Sequence, residues 1–115
     1  MKIAIPTNNA KKVSTHTALS KYIAVIEINN HKVVDRTLRS NPVLQMAKGS
    51  DIGEEGSRGL GAGRIISELV SDVDVFIAKD IGSGMRRNLS ASGIRVVDTD
   101  KQDIKEIIDE FLQEE

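Results

Sequence analysis

Two glycine-rich turns, each running into a helix-like stretch, carry the most suggestive chemistry in this chain. The first is Gly59-Leu60-Gly61-Ala62-Gly63-Arg64, followed by Ile65-Ile66-Ser67-Glu68-Leu69-Val70. The second is Asp80-Ile81-Gly82-Ser83-Gly84-Met85-Arg86-Arg87, following the apolar run Val75-Phe76-Ile77-Ala78. The first N–H groups of a helix lack intrahelical partners, and the helix start carries a partial positive charge. Glycine removes the Cβ that would hold an anion away from those groups. Arg64, Arg86 and Arg87 add cations in the same first turns. Neighbouring helical residues diverge by about 100°, so at most one of Arg86 and Arg87 faces a given ligand. If the two turns face one cleft, Gly59, Gly61, Gly63 and Arg64 together with Gly82 and Gly84 bind a compact anion.

Competing readings of the same residues are weaker. A dinucleotide fingerprint needs G-x-G-x-x-G after a strand, with an acid about 20 residues on. Asp80 has that spacing, but the third glycine falls on Arg64 or Ile66, and a polar loop precedes the motif instead of a strand. No Gly-Lys-Ser or Gly-Lys-Thr makes a Walker loop. The plain alternative is that each glycine turn only bends the chain and lets a helix pack closely. His16, in Val13-Ser14-Thr15-His16-Thr17-Ala18, offers an imidazole that is a metal ligand when neutral, although a lone loop histidine is ordinarily just solvated. His31 sits in a turn between two strand-like runs. Hydrolytic catalysis lacks its parts, since no serine or threonine stands beside a base in a nucleophile elbow. The acids Asp103, Glu106, Asp109, Glu110, Glu114 and Glu115 read as the solvated face of a terminal helix.

Composition narrows the classes further. A chain of 115 residues makes one domain, 1–115, with a core that must be aliphatic because it has two Phe, one Tyr and no Trp. A net charge of −1, with 16 basic residues scattered among 17 acids, argues against a nucleic-acid surface. No apolar run reaches the ~18 residues of a membrane span, and Lys2-Ile3-Ala4-Ile5 opens the chain without a signal peptide, so a cytoplasmic location is expected. The absence of cysteine excludes thiolate ligands, thiol catalysis and disulfides. A metal must then rest on His, carboxylate or backbone, or arrive inside a preformed anionic cluster.

Periodicity supplies the scaffold. Residues 2–5 read as a short buried strand stopped by Pro6. Residues 22–28 and 32–38 form a hairpin around Asn29-Asn30-His31, because Asn tolerates positive φ. Residues 39–58 hold Asn41-Pro42, glycines and a Glu-Glu pair, and are expected to be a mobile loop. Ala62, Ile65, Ile66, Leu69, Val70 and Val73 then recur along one helical face. A buried strand at 75–78, a helix ended by Gly93, a strand at 94–97 and a helix capped by Thr99 or Asp100 complete the order β-β-β-α-β-α-β-α. This order predicts an α/β fold with a mixed sheet and helices on both faces. Ligands of such sheets sit beyond the carboxyl ends of parallel strands, where Gly82 lies.

The chain resembles the dinitrogenase iron–molybdenum cofactor biosynthesis domain family. The resemblance is carried by Lys2-Ile3-Ala4-Ile5-Pro6-Thr7, Val13-Ser14 before His16, and Tyr22-Ile23-Ala24-Val25-Ile26. It continues through Asn41-Pro42, Gly61-Ala62-Gly63, residues 75–78 with Gly82, and Ala91-Ser92-Gly93-Ile94. It implies a three-layer ribonuclease H-like fold with a mixed five-stranded sheet, and a non-enzymatic protein of anaerobic or nitrogen-fixing prokaryotes. It further implies a bound or carried iron–molybdenum cofactor, a precursor, or another metal–sulfur cluster, held non-covalently. His16 matches the family's histidine after the first strand, and Gly61 and Gly63 its helix entry. Where the family usually continues with Phe-Gly and an Arg, this chain has Thr17, Ala18 and Leu19. The first strand carries none of the acids that two-metal nuclease chemistry requires.

The expected function is therefore that of a non-catalytic carrier of an anionic metal–sulfur cluster, with His16 as metal ligand at the rim of the glycine pocket. A cluster donor or acceptor protein would be its partner. Two other readings stand beside it: a degenerate member serving as an interaction or regulatory module, and a small enzyme or binder of a phosphorylated or nucleotide ligand.

Overall fold

Runs of β-branched residues broken by Asn and Gly turns build one sheet, and the apolar helical faces cover it on both sides. The computed structural model describes residues 1–43 and 62–114. Among them β1 is Lys2–Thr7, β2 Tyr22–Asn29, β3 Lys32–Ser40, α1 Ala62–Leu69, β4 Val75–Ala78, α2 Ser83–Ala91, β5 Arg95–Asp98 and α3 Ile104–Glu114. The strand order is β3-β2-β1-β4-β5. β2 runs antiparallel to β1 and β3, while β1, β4 and β5 pair in parallel. This is the mixed five-stranded, three-layer arrangement of a ribonuclease H-like fold.

The two layers of core follow from strand alternation, which sends successive side chains to opposite faces. Ala4, Ile23, Val25 and Phe76 meet Ile66 of α1, Val70 just past its end, and Met85 and Leu89 of α2 on one face. Ile3, Ile5, Ile26 and Ile77 meet Ile104, Ile107 and Ile108 of α3 on the other. Asn30 and His31 turn the β2–β3 hairpin with φ of 52° and 61°. The His31 Nδ1 lies 2.8 Å from the Leu112 carbonyl, tying the hairpin tip to the last turn of α3. Gly93, at φ 82°, ends α2 as the left-handed cap, its N–H on the Ser90 carbonyl and that of Ile94 on Leu89.

Several boundaries differ from the sequence reading: α1 ends at Leu69, short of Val70 and Val73, β5 is shifted by one residue to Arg95–Asp98, and three others have a structural reason. β1 continues through Pro6, which pairs in register with Ile23. The carbonyl of Lys2 accepts from Asp74 N–H, so by alternation the position of Pro6 that lacks an N–H faces the β4 side. β4 pairs with β1 only at Ile3 and Ala4, and no ladder bond is lost there. β3 extends to Ser40, and Asn41 and Val43 are buried, so the chain stays packed through the start of the segment expected to be mobile. The remainder of that segment, residues 44–58, lies outside the described residues. α3 begins at Ile104, later than a Thr99 or Asp100 cap would place it. The preceding residues are committed elsewhere: Gln102 accepts from Val13 N–H at 2.8 Å, and Lys11 accepts the Ile104 N–H at 2.9 Å.

Candidate functional site

The carboxyl ends of β1, β4 and β5 are bound into one surface by the loop after β1. That loop is shaped by short polar side chains. Thr7 Oγ1 accepts the N–H groups of Asn9 and Ala10 at 3.3 and 3.0 Å, and Asn9 Oδ1 those of Lys11 and Lys12 at 3.0 and 2.9 Å. Ala10 is thereby held at φ 68°. Ser14 Oγ donates to the His16 carbonyl at 3.0 Å, and Thr17 Oγ1 donates to the carbonyl of Asp80. Asn41 Nδ2 donates to the carbonyls of Ala18 and Ser20 at 2.9 and 2.8 Å. Thr7, Ser14, Thr17, Ser20 and Asn41 are all buried, and every buried side-chain polar atom among the described residues has a partner. A satisfied network of this kind fixes a loop conformation, since leaving any member unpaired costs about 1–3 kcal/mol.

His16 is exposed on this loop, one residue from the Thr17–Asp80 tether. Asp80 is two residues before Gly82, so the loop bearing the imidazole is fastened to the turn that opens α2. The described residues form no hydrogen bond to the His16 ring; only its backbone carbonyl is engaged.

Gly82 is the N-cap of α2, with φ −68° and ψ 154° and no side-chain cap. Arg86 N–H reaches its carbonyl at 3.0 Å, closing the first helical turn. The N–H groups of Ser83, Gly84 and Met85 therefore have no intrahelical acceptor. Among the described residues a Cβ built on Gly82 or Gly84 would meet nothing within 4 Å, and none of them blocks the approach to these donors. Gly63 differs. A Cβ there would lie 2.8 Å from the Cα of Met85, so its bare face is taken by the backbone of α2. The close approach at Gly63 is helix to helix, and it sets the first turn of α1 directly beside the first turn of α2. Two positive helix ends lie together with no acidic residue in either first turn.

The arginines are placed apart from one another. Arg64 is exposed and pairs with Glu68 at 3.3 Å, one turn along α1. Arg86 pairs with Asp98 at 2.6 Å, joining α2 to the end of β5, and this contact holds the guanidinium above its usual range. Arg87 is exposed and forms no ion pair among the described residues. Gly59 and Gly61 lie outside the described residues.

Sequence reasoning missed the Thr17, Ser20 and Asn41 clasp, whose partners are distant in the chain. Asn41-Pro42 was legible as a turn, but nothing local marks the Asn41 amide as a buried strut. Two grooves were also missed. One, of about 480 Å³, runs along Val97, Thr99 and Phe111; the other, of about 540 Å³, is bounded by Lys11, Arg36 and the charged side of α3. Neither includes His16 or Gly82.

The fold and this end of the sheet define a small α/β protein with paired helix starts and one exposed imidazole. The dinitrogenase iron-molybdenum cofactor family matches residues 1–114, and the chain belongs to that family. No curated protein sequence matches the chain. Its structure is similar to that of the protein PH0822, at 20% identity and TM-score 0.76, covering 100% of this chain and 93% of that one. It is also similar to the apo form of the orange protein from Desulfovibrio gigas, at 16% identity and TM-score 0.71, covering 98% and 88%. A proposed dinitrogenase of Methanocaldococcus jannaschii matches at 20% identity and TM-score 0.67, over 99% and 89%. At these identities the likeness establishes the shared fold. Among the described residues no helix is long and apolar enough to cross a membrane.

Proposed function

We propose that this chain is a non-catalytic carrier of a preformed anionic metal–sulfur cluster or iron–molybdenum cofactor precursor, held beyond the carboxyl ends of β1 and β4. The observation that carries this reading is the seating of Gly63 against Met85, which puts the first turns of two helices side by side, that of α2 without a side-chain cap. Parallel helix dipoles with adjacent positive ends repel, and an anion between them relieves that repulsion. The donor set fits such a cargo. Among the described residues no three His or carboxylate groups cluster to hold a bare cation. Backbone N–H groups suit the sulfide or oxide edge of an anion, and the exposed His16 imidazole suits its metal. Family membership supports the same class of cargo.

With backbone donors and a single imidazole, binding is reversible and weakens as salt rises. Anaerobic isolation of the wild-type chain and a His16→Ala variant, followed by iron, molybdenum and copper analysis and visible absorption, tests the proposal. The expected result is a visible band with stoichiometric metal in the wild type, reduced severalfold in the variant. A colourless, metal-free wild type that also fails to take up tetrathiomolybdate would overturn the carrier reading. Full loading of His16→Ala would remove the imidazole from it.

A further inference from the structure

Among the described residues no strand covers the β5 edge of the sheet, which lies beside α3. Arg95 and Thr99 turn their N–H groups inward to the carbonyls of Asp74 and Ala78, each at 3.0 Å. Donors alternate in direction along a strand, so the N–H groups of Val96 and Asp98 face outward. β5 terminates the strand order, and those groups have no strand to pair with among the described residues. Directly under this edge, α3 and the sheet frame the groove of about 480 Å³. Its floor is apolar, formed by Ile77, Val97, Ile107 and Phe111. Val97 and Phe111 are only half-buried and present their apolar surface to the groove.

The rim carries charge of predominantly one sign. Asp100 and Glu110 line it against a single ammonium, that of Lys101, while the Asp98 carboxylate is held by Arg86 of α2. Glu110 already holds Lys101, while the exposed Asp100 makes no ion pair among the described residues. An apolar floor under a net negative rim, beside an unpaired strand edge, selects for a particular kind of polypeptide.

We propose that β5 and this groove dock an extended segment of a partner protein, added to the sheet as a further strand. Main-chain bonds to Val96 and Asp98 would hold it, as in other strand-addition complexes. Residues two apart in a strand share a face. The segment therefore carries an apolar residue over Val97 and Phe111, and a Lys or Arg two positions away that meets Asp100. The other edge strand, β3, is interrupted by an irregular register between Glu27 and Ile28, and the groove beside its Arg36 is lined by charged residues and lacks an apolar floor. Nothing in this inference depends on which cargo the chain carries.

The test is an amide chemical-shift titration of the full chain with the peptide acetyl-Ser-Thr-Phe-Thr-Arg-Thr-Ser-amide, and with its counterpart bearing Glu for Arg. The expected result is saturable shifts at residues 96–101 and at Phe111 with the basic peptide, at least fivefold weaker binding by the acidic one, and loss of affinity in high salt. Asp100→Lys and the milder Asp100→Asn, both exposed changes, should weaken binding of the basic peptide by at least fivefold and twofold respectively. Equal binding of the two peptides, shifts confined to other surfaces, or no saturable shift would overturn the proposal. So would concentration-dependent shifts of the β5 amides without peptide, which would assign the edge to self-association.

Discussion

At the scale of single residues, Gly82 and Gly63 are both glycines at helix starts, and the structure gives them opposite jobs. Gly82 has an extended conformation open to any residue, and space where a Cβ would sit. Replacing it with Asp supplies the missing side-chain cap and a charge that suits the helix dipole, which raises stability by about 0.5–1 kcal/mol. The same carboxylate occupies the donors an anion needs. Gly82→Asp should therefore melt higher than wild type while binding tetrathiomolybdate at least tenfold more weakly. A variant that melts higher and binds as well as wild type would show that the α2 donors are not used. Gly63→Val should act through folding, because its Cβ meets the Met85 backbone, which cannot step aside as a flexible side chain would. Overpacking of that kind costs about 1–3 kcal/mol, read as a drop of several degrees in thermal unfolding. An unchanged melting temperature would mean that α1 and α2 are not locked together at this point.

At the scale of elements, β3 is secured to α1 by one ion-pair cluster. Arg39 donates to both oxygens of Asp72 at 2.6 and 2.7 Å and to the Leu69 carbonyl at 2.9 Å, and Lys2 reaches Asp72 at 3.1 Å. The Arg39 contact, aided by Lys2, holds the Asp72 carboxyl well below the usual carboxylate range. A carboxyl lowered by folding adds stability above its unfolded value, near 3.9, and loses that stability as pH falls through that value toward the folded one. Because Asp72 is partly exposed, the increment is about 1 kcal/mol. Chemical denaturation of wild type and Asp72→Asn should thus differ by about that much at pH 7 and converge below pH 3. A constant difference across this range would mean the carboxylate charge contributes nothing.

Elements are also where the sequence was most and least legible. Val75-Phe76-Ile77-Ala78, the Asn30-His31 hairpin and the Gly93 stop announce themselves because their signals are local: a continuous apolar run, residues tolerant of positive φ, and a glycine at a helix end. The helix faces carrying Ile66 and Leu69, or Ile104, Ile107 and Ile108, are equally plain from their spacing. The start of α3 was misplaced because its first N–H is satisfied by Lys11, far away in the chain. The clasp shows the same limit. Thr17 finds Asp80 across 63 residues and Asn41 finds Ala18 across 23, and no local period encodes such pairs. Within the candidate site, the open donors of α2 could be anticipated from Gly82 and Gly84. The diversion of Gly63 to helix packing depended on a tertiary neighbour that composition does not reveal, whereas the pairing of Arg64 with Glu68 is a local i,i+4 contact.

At the scale of the whole molecule, the parallel strands β1, β4 and β5 bring three chain segments to one end of the sheet, and the loop after β1 laces them together. Thr17 reaches the β4–α2 turn, while Lys11 and Val13 bond the segment leading into α3. The backbone frame of the proposed anion site is thus largely pre-organised, which would limit the ordering cost of binding. The most direct measurement is an amide chemical-shift titration of the wild-type chain with tetrathiomolybdate under anaerobic conditions at low and high salt. Saturable shifts should centre on Ser83, Gly84 and Met85, extend to His16 and Gly63, and weaken with salt. Shifts that saturate elsewhere and leave Ser83, Gly84, Met85 and His16 unmoved would contradict an anion site at the paired helix starts.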